Sequence, residues 1–309
     1  VSPARILAAT DFSEASTAAV DASWVIARHR DARLTLFHVD ELPHFAVLAA
    51  EPVYVPPQAW DALSESYALD TARKLDDLRA RLARTGTGAN ISTLHRRGDP
   101  VEEIVTEARE SDSSLLVVGT HGQSGSLRYL FGSVAAKVSR TAPCPVLVTN
   151  PDFGALDEAG FRRALVAVDF SAVSNDVVRA ASELVGGDAH LTLVHVWREP
   201  AAFAVESAVG QTREQVTSGL ERMREDRVEQ LGALASSGLA RQASIETVLE
   251  IGTPAHSILE LADRGNFDLI VVGSHSRETA QERVLGTVAD RVLRNAKVPV
   301  LLVPRSPDA

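Results

Sequence analysis

The chain has 309 residues, roughly twice the usual domain size, so two domains are expected. Its 31 Lys and Arg against 41 Asp and Glu leave a net charge of −10, which argues against a nucleic-acid partner, because phosphate backbones are held by clustered cations. A composition of 45% hydrophobic and 23% charged residues is that of a chain with packed cores and excludes global disorder.

The first half reads as alternating strands and helices. A strand is expected over Arg5 to Thr10 and an amphipathic helix over Glu14 to Arg30. The strand Arg33 to Val39 follows, and then an apolar segment, His44 to Trp60, with Pro43, Pro52, Pro56 and Pro57 in or beside it. That segment reads equally as a lid or partner surface and as an irregular packed connection. Next come a helix over Trp60 to Arg84, a strand over Asn90 to His95 and a helix over Pro100 to Glu110. Asp99 is placed as N-cap of that helix, Pro100 suits its first position and Gly98 makes the turn. A strand over Ser114 to Val118, a glycine-bearing loop, a helix over Ser133 to Arg140 and a strand over Pro145 to Thr149 complete the half. The strands are β-branched and almost unbroken in apolar character, as parallel strands covered on both faces must be. Cys144, between two prolines, is a small residue entering the last strand, and a single cysteine forms neither an internal disulfide nor a thiolate cluster.

The second half repeats the first. Ile6 to Ser13 returns as Ala164 to Ser171, Leu34 to Val39 as Leu191 to Val196, and Leu116 to His121 as Ile270 to His275. Gly98-Asp99-Pro100 matches Gly252-Thr253-Pro254, so Thr253 is expected to repeat the cap of Asp99. Gly132 to Ala135 matches Gly286 to Ala289, and Pro145 to Leu147 matches Pro299 to Leu301. The division expected is residues 1–150, a polar linker over 151–162, and residues 163–309. Strand–helix alternation in each copy means an α/β doubly wound sheet with right-handed crossovers.

In such sheets ligands sit beyond the carboxyl ends of the strands, where strand order reverses. Asp11 follows the first strand, Val39 ends the second, and the loop from Gly119 to Ser133 follows the fourth. Gly119 and Gly122 carry no Cβ and permit close approach of main chain to a ligand, while Gly132-Ser133 opens a helix whose free N–H groups favour phosphate. The pattern reads as a polyphosphate cradle of main chain beside a carboxylate that accepts from ribose hydroxyls, in preference to the plainer reading that the glycines simply punctuate a loop. His38 and His195 alternate with apolar strand residues and read as satisfied, partly buried imidazoles; no metal site is expected. His121 suits phosphate contact and plain loop packing equally. Gly86 and Gly88 lack the third glycine of a dinucleotide fingerprint, and no Walker-type loop occurs.

The spacing of Gly119, Gly122, Gly132 and Ser133, with the strand-end Asp11, the His38-Val39 pair and the Gly98-x-Pro100 helix start, resembles the universal stress protein family. The resemblance covers roughly residues 4–149 and 163–304, so it is to a tandem arrangement of two such domains. It implies a flavodoxin-like, adenine-nucleotide-α-hydrolase-like sheet of order 3-2-1-4-5 in each half. In one branch of the family it also implies binding of ATP, with Mg2+ as its counter-ion. Asp11 would then meet the ribose–adenine end, Val39 would hold adenine through its backbone, and Gly119, His121, Gly122, Gly132, Ser133 and Val134 would surround the phosphates. Copy two keeps Asp169, Val196, Gly273, Gly286, Thr287 and Val288, but Ser276 replaces the second glycine and puts its nucleotide binding in question.

The expected function is therefore an ATP-responsive stress regulator acting through its conformation or an unknown protein partner. A slow ATPase or phosphotransferase using the same pocket is the alternative, disfavoured because the loop offers no evident catalytic base. An electron-transfer module and a nucleotide-independent scaffold remain as further readings. No apolar run approaches the roughly 18 residues of a membrane span, and Val1 to Arg5 lack a signal-peptide pattern, so a cytoplasmic protein is expected. The apolar strands Pro145 to Thr149 and Pro299 to Val303 would each lie at a sheet edge in the implied order. Their mutual pairing into an internal pseudo-dimer is the arrangement expected, with a further homodimer left open.

Overall fold

A computed structural model describes residues 3–41, 57–86, 90–120, 132–150, 156–198, 213–240, 243–274 and 285–305. The chain divides into two compact units, Val1–Glu158 and Ala159–Ala309.

The first unit runs β1 (Arg5–Ala9), α1 (Glu14–His29), β2 (Arg33–Asp40), α2 (Pro57–Thr85), β3 (Asn90–Arg97), α3 (Pro100–Glu110), β4 (Leu115–Gly119), α4 (Ser133–Thr141) and β5 (Val146–Thr149). Its strands stand in the order β3-β2-β1-β4-β5, and every pair is parallel. Leu7 of β1 sits between Thr35 of β2 and Leu116 of β4. Ile6, Leu7 and Ala8 are successive residues and so face opposite sides of the sheet, yet each is at most 1% exposed. Both faces are therefore covered, which is why these strands read as unbroken apolar runs.

The helices are placed by their ends as much as by their apolar stripes. The Ser13 hydroxyl accepts from Ser16 N–H and caps α1, and Arg28 and His29 stand at its carboxyl end where cations are favoured. The Asp99 carboxylate accepts from Val101 N–H at 2.9 Å and Glu102 N–H at 3.0 Å, with Pro100 opening α3. Helix α1 packs on β1, β2, β4 and β5, and it meets α2 through Trp24 Nε1 donating to Thr85 Oγ1 at 3.0 Å. Right-handed crossovers put α1 and α2 on one face and α3 and α4 on the other, so the chain changes face between β1 and β4.

The second unit repeats the plan with β6 (Phe161–Ala167), α5 (Ser174–Leu184), β7 (Val185–Trp197), α6 (Arg213–Ala235), β8 (Ser244–Ile251), α7 (Pro254–Arg264), β9 (Leu269–Gly273), α8 (Thr287–Asn295) and β10 (Val300–Val303). Its order is β8-β7-β6-β9-β10, again parallel throughout. One sequence expectation differs in detail. Thr253 occupies the N-cap position of α7 but makes no side-chain capping bond, so Pro254 starts that helix without the help Asp99 gives α3. The segment His44 to Trp60 lies outside the described residues up to the start of α2, and the side chains of its remainder are not described. Among the described residues, no helix is long and apolar enough to cross a membrane.

Candidate functional site

The crevice beyond β1 and β4 is built from three turns. After β1 the chain passes through Asp11, Phe12 and Ser13 into α1. The Asp11 Oδ1 accepts from Ser13 N–H at 3.1 Å and from the Ser13 hydroxyl at 2.6 Å. Beneath it, Thr10 Oγ1 lies 3.0 Å from Ser16 Oγ and accepts from Phe12 N–H at 3.0 Å. Phe12 has φ 64°, the left-handed region that costs a bulky residue free energy. This turn could not be read from the sequence, because nothing about a phenylalanine signals it.

The second turn is the end of β2, and parity places its groups. The Phe37 carbonyl accepts from Thr10 N–H at 2.9 Å, so it faces β1, while the Asp40 carbonyl accepts from Gly98 N–H on the β3 side. Successive residues of a strand alternate sides, so the N–H and C=O of Val39 face the β1 side. They lie two residues past the last β1–β2 rung, Ala9 opposite Phe37, where they border the crevice instead of a strand. Val39 is 8% exposed, which leaves its backbone as the part able to meet a ligand.

The third turn begins at the end of β4. Thr120 N–H donates to the Thr149 carbonyl at 2.8 Å, and the Thr120 carbonyl accepts from Gly132 N–H at 2.7 Å. Thr120 and Gly132 are thereby held together at the strand end. Gly132 is the N-cap of α4 and has no side chain to cap it, so the first N–H groups of that helix, including those of Ser133 and Val134, are not satisfied by an N-cap side chain. His121 and Gly122 lie outside the described residues.

Gly119 has a reason the sequence did not give. A Cβ there would stand 2.7 Å from the C and O atoms of Ala15 and 2.9 Å from Ser16 N. The glycine is required by the first turn of α1, which lies across the end of β4. Its role is to let that turn, and hence Asp11, approach the fourth strand.

The second unit carries the same three turns. Asp169 Oδ1 accepts from Ser171 N–H at 2.9 Å, and Phe170 has φ 57°. Val168 N–H donates to the Val194 carbonyl at 2.9 Å, which puts the backbone of Val196 in the position of Val39. Ser274 N–H donates to the Val303 carbonyl and Gly286 N–H to the Ser274 carbonyl, both at 2.8 Å, so Gly273, Gly286, Thr287 and Val288 stand as their counterparts do. Ser276 falls outside the described residues. One difference is visible and was missed by sequence reading: Asp290 stands in the first turn of α8, where α4 has no acidic residue. Its carboxylate accepts from Arg294 Nε at 2.9 Å. The signal was available, four residues after Gly286.

The imidazoles are satisfied as their strand positions suggest. His38 Nδ1 donates to the Thr10 carbonyl at 2.7 Å and His195 Nδ1 to the Val168 carbonyl at 2.8 Å. Among the described residues, no group of three or more His, Cys, Asp or Glu is arranged to hold a metal ion. A groove of about 440 Å³ lined by Phe12, Lys74, Asp77, Leu78, Arg81 and Arg84 runs along α2 and touches the crevice residues only through Phe12. Cys144 is buried at the entrance to β5, and burial pushes its thiol up to about 12.

Residues 4–150 and, again, 160–304 match the universal stress protein family. The chain belongs to that family. A universal stress protein from Bacillus subtilis, YxiE, is 33% identical over 150 residues, which is 98% of its length and 47% of this chain. The universal stress protein Rv2005c of Mycobacterium tuberculosis is 27% identical over 289 residues, covering 90% of this chain and 89% of the relative. The crystal structure of a universal stress protein from Archaeoglobus fulgidus shares the fold over 99% of this chain and 97% of that one, with a TM-score of 0.64 at 22% identity.

Proposed function

We propose that the first unit binds an adenine nucleotide, with ATP as the ligand, and that the protein acts as a nucleotide-responsive regulator within its family. The observation that carries this reading is the meeting, at the change of face between β1 and β4, of a strand-end carboxylate with an α4 amino terminus whose N-cap has no side chain. Helix N–H groups and the positive end of the helix dipole favour phosphate, so Gly132, Ser133 and Val134 take the phosphate end, with the Ser133 hydroxyl as an added donor. Asp11 accepts from ribose hydroxyls. The N–H and C=O of Val39 offer one donor and one acceptor to the edge of the base, which is what the amino group and adjacent ring nitrogen of adenine require. Gly119, His121 and Gly122 border the phosphates, and Mg2+ would be held by the phosphates themselves.

The arrangement favours binding over turnover. Asp11 is engaged by the Ser13 N–H and hydroxyl, at the ribose end of the crevice and away from where a water would attack a terminal phosphate. The test is calorimetric titration of the full chain with ATP, alongside a phosphate-release assay. Binding should weaken at least tenfold in Asp11→Asn and when a bulky residue replaces Gly122, a cost of about 1.4 kcal/mol. Unchanged affinity in both variants would refute the site, and rapid phosphate release abolished by Asp11→Asn would favour the enzyme reading instead.

A further inference from the structure

The acid-bearing turn is held by a device that occurs twice. In the first unit the His38 imidazole donates through Nδ1 to the carbonyl of Thr10, the residue before Asp11. The same ring lies against the ring of Phe12, the residue after Asp11, with centroids 4.6 Å apart. In the second unit His195 bonds the carbonyl of Val168, before Asp169, and lies against Phe170, after it, with centroids 4.3 Å apart. One imidazole thus grips the chain on both sides of one aspartate.

The backbone makes the grip informative. Phe12 and Phe170 stand at φ 64° and 57°, where glycine would be free of the penalty a Cβ incurs. A phenylalanine in this region must be retained by its contacts, and the imidazole is a contact found in both units. The residue two places past the imidazole differs. His38 Nε2 is 3.4 Å from Asp40 Oδ1, which accepts from Thr71 Oγ1 of α2, and Lys74 Nζ stands 5.5 Å from the Phe12 ring centroid. The second unit has Trp197 in place of Asp40, under Arg227 of α6 at 4.6 Å. The clamp recurs although Trp197 stands where Asp40 does, so its constant object is the aspartate turn.

We propose that Phe12 and His38 are positioning residues for nucleotide binding: together they fix the peptides flanking Asp11 so that its carboxylate is preset for a ribose hydroxyl, as Phe170 and His195 do for Asp169. This rests on the nucleotide reading above. Presetting the acceptor removes the ordering cost that a mobile turn would impose on binding.

The test uses the full chain with ATP as probe, read by calorimetry, and amide hydrogen exchange of residues 10–16 without ligand. Phe12→Gly tolerates the left-handed backbone and removes the ring. It should weaken ATP at least fivefold and speed exchange across 10–16, while Phe12→Tyr, which keeps the ring, should match the native chain in both. His38→Asn keeps a donor for the Thr10 carbonyl and loses the ring contact; it should fall between them. Should Phe12→Gly fail to fold, Phe12→Leu, which keeps bulk without an aromatic face, carries the comparison. Native affinity in the ring-less variants overturns the clamp, and so does a loss of thermal stability at unchanged affinity, because a merely structural role predicts that. A native chain that does not bind ATP removes the nucleotide reading and the proposal with it, an outcome separate from a native chain that binds and variants that bind equally well.

Discussion

Replacing Gly119 with alanine adds one methyl group where the end of β4 meets the first turn of α1. The new carbon would lie 2.7 Å from Ala15 C and O and 2.9 Å from Ser16 N, short of ordinary contact by roughly 0.7 Å. All three atoms are backbone of the first turn of α1, so no side chain can rotate away; either β4 or the helix start must move. Overpacking of this kind costs about 1–3 kcal/mol. For a unit of this size each kcal/mol lowers the midpoint by about 2–4 °C, so thermal unfolding of the first unit should begin about 2–12 °C lower. The displaced turn carries Asp11, so ATP affinity should fall in the same variant. Gly219→Ala in α6 is the matched control: nothing lies within 4 Å of its Cβ, and alanine in a helix interior should stabilise by about 0.5–1 kcal/mol. Calorimetric scans of the two variants should therefore move in opposite directions. A Gly119→Ala chain that unfolds with the native profile would show that α1 does not lie across β4 as described.

Three further outcomes are expected. Asp99→Ala should destabilise the first unit by about 1 kcal/mol, since two N–H groups of α3 lose their acceptor, whereas Thr253→Ala should change the second unit by only a few tenths; urea titrations of both would reveal the contrast. Cys144, with its thiol pushed up to about 12, is thiolate only on the order of one part in 10⁴ at pH 8, so a chromogenic disulfide reagent should react with it only as fast as the chain unfolds. Asp290→Asn should tighten ATP binding to the second unit about two- to fivefold by removing a negative charge from the amino-terminal turn of α8, and an unchanged affinity there would dismiss that carboxylate as the cause of any difference between the units.

How much of this was legible in the residues follows from what each feature depends on. Parallel strands covered on both faces leave an apolar signature along the chain, so β1, β2 and β4 were found with their ends off by one residue. Asp99 and Pro100 sit within three residues of the groups they serve, and local chemistry of that kind is written in order. The duplication was plain because the landmarks recur at nearly constant offset. What could not be read were relations across the sheet. Gly119 looked like a glycine that lets a ligand in, and its contact with Ala15 spans more than 100 residues of chain. Val39 was placed at the crevice by ending the second strand, but its backbone role came through the resemblance alone. Its backbone direction follows only once Thr10 N–H is seen on the Phe37 carbonyl. Phe12 carried no sign of a left-handed backbone, and the imidazole its ring lies against, His38, comes from the next strand.

The two units show which parts of the crevice are frame and which are finish. The frame is backbone: the aspartate turn, the strand end two residues past its last rung, and the loop whose base closes on Thr120 or Ser274. Those relations survive the replacement of Thr10 by Val168 and of Asp40 by Trp197, because neither side chain supplies the main-chain bonds that set them. The finish is electrostatic and is carried by few residues. Negative charge in the first turn weakens the pull of an uncapped helix start on a polyphosphate, and Asp290 in α8, paired with Arg294, adds such a charge without disturbing the frame bonds. The two units thus share the described backbone frame of the crevice while differing in the charge of one helix start. Charge in the first turn of α4 or α8 is then a feature to read beside the glycine spacing of the preceding segment when asking which half of a tandem member holds a nucleotide.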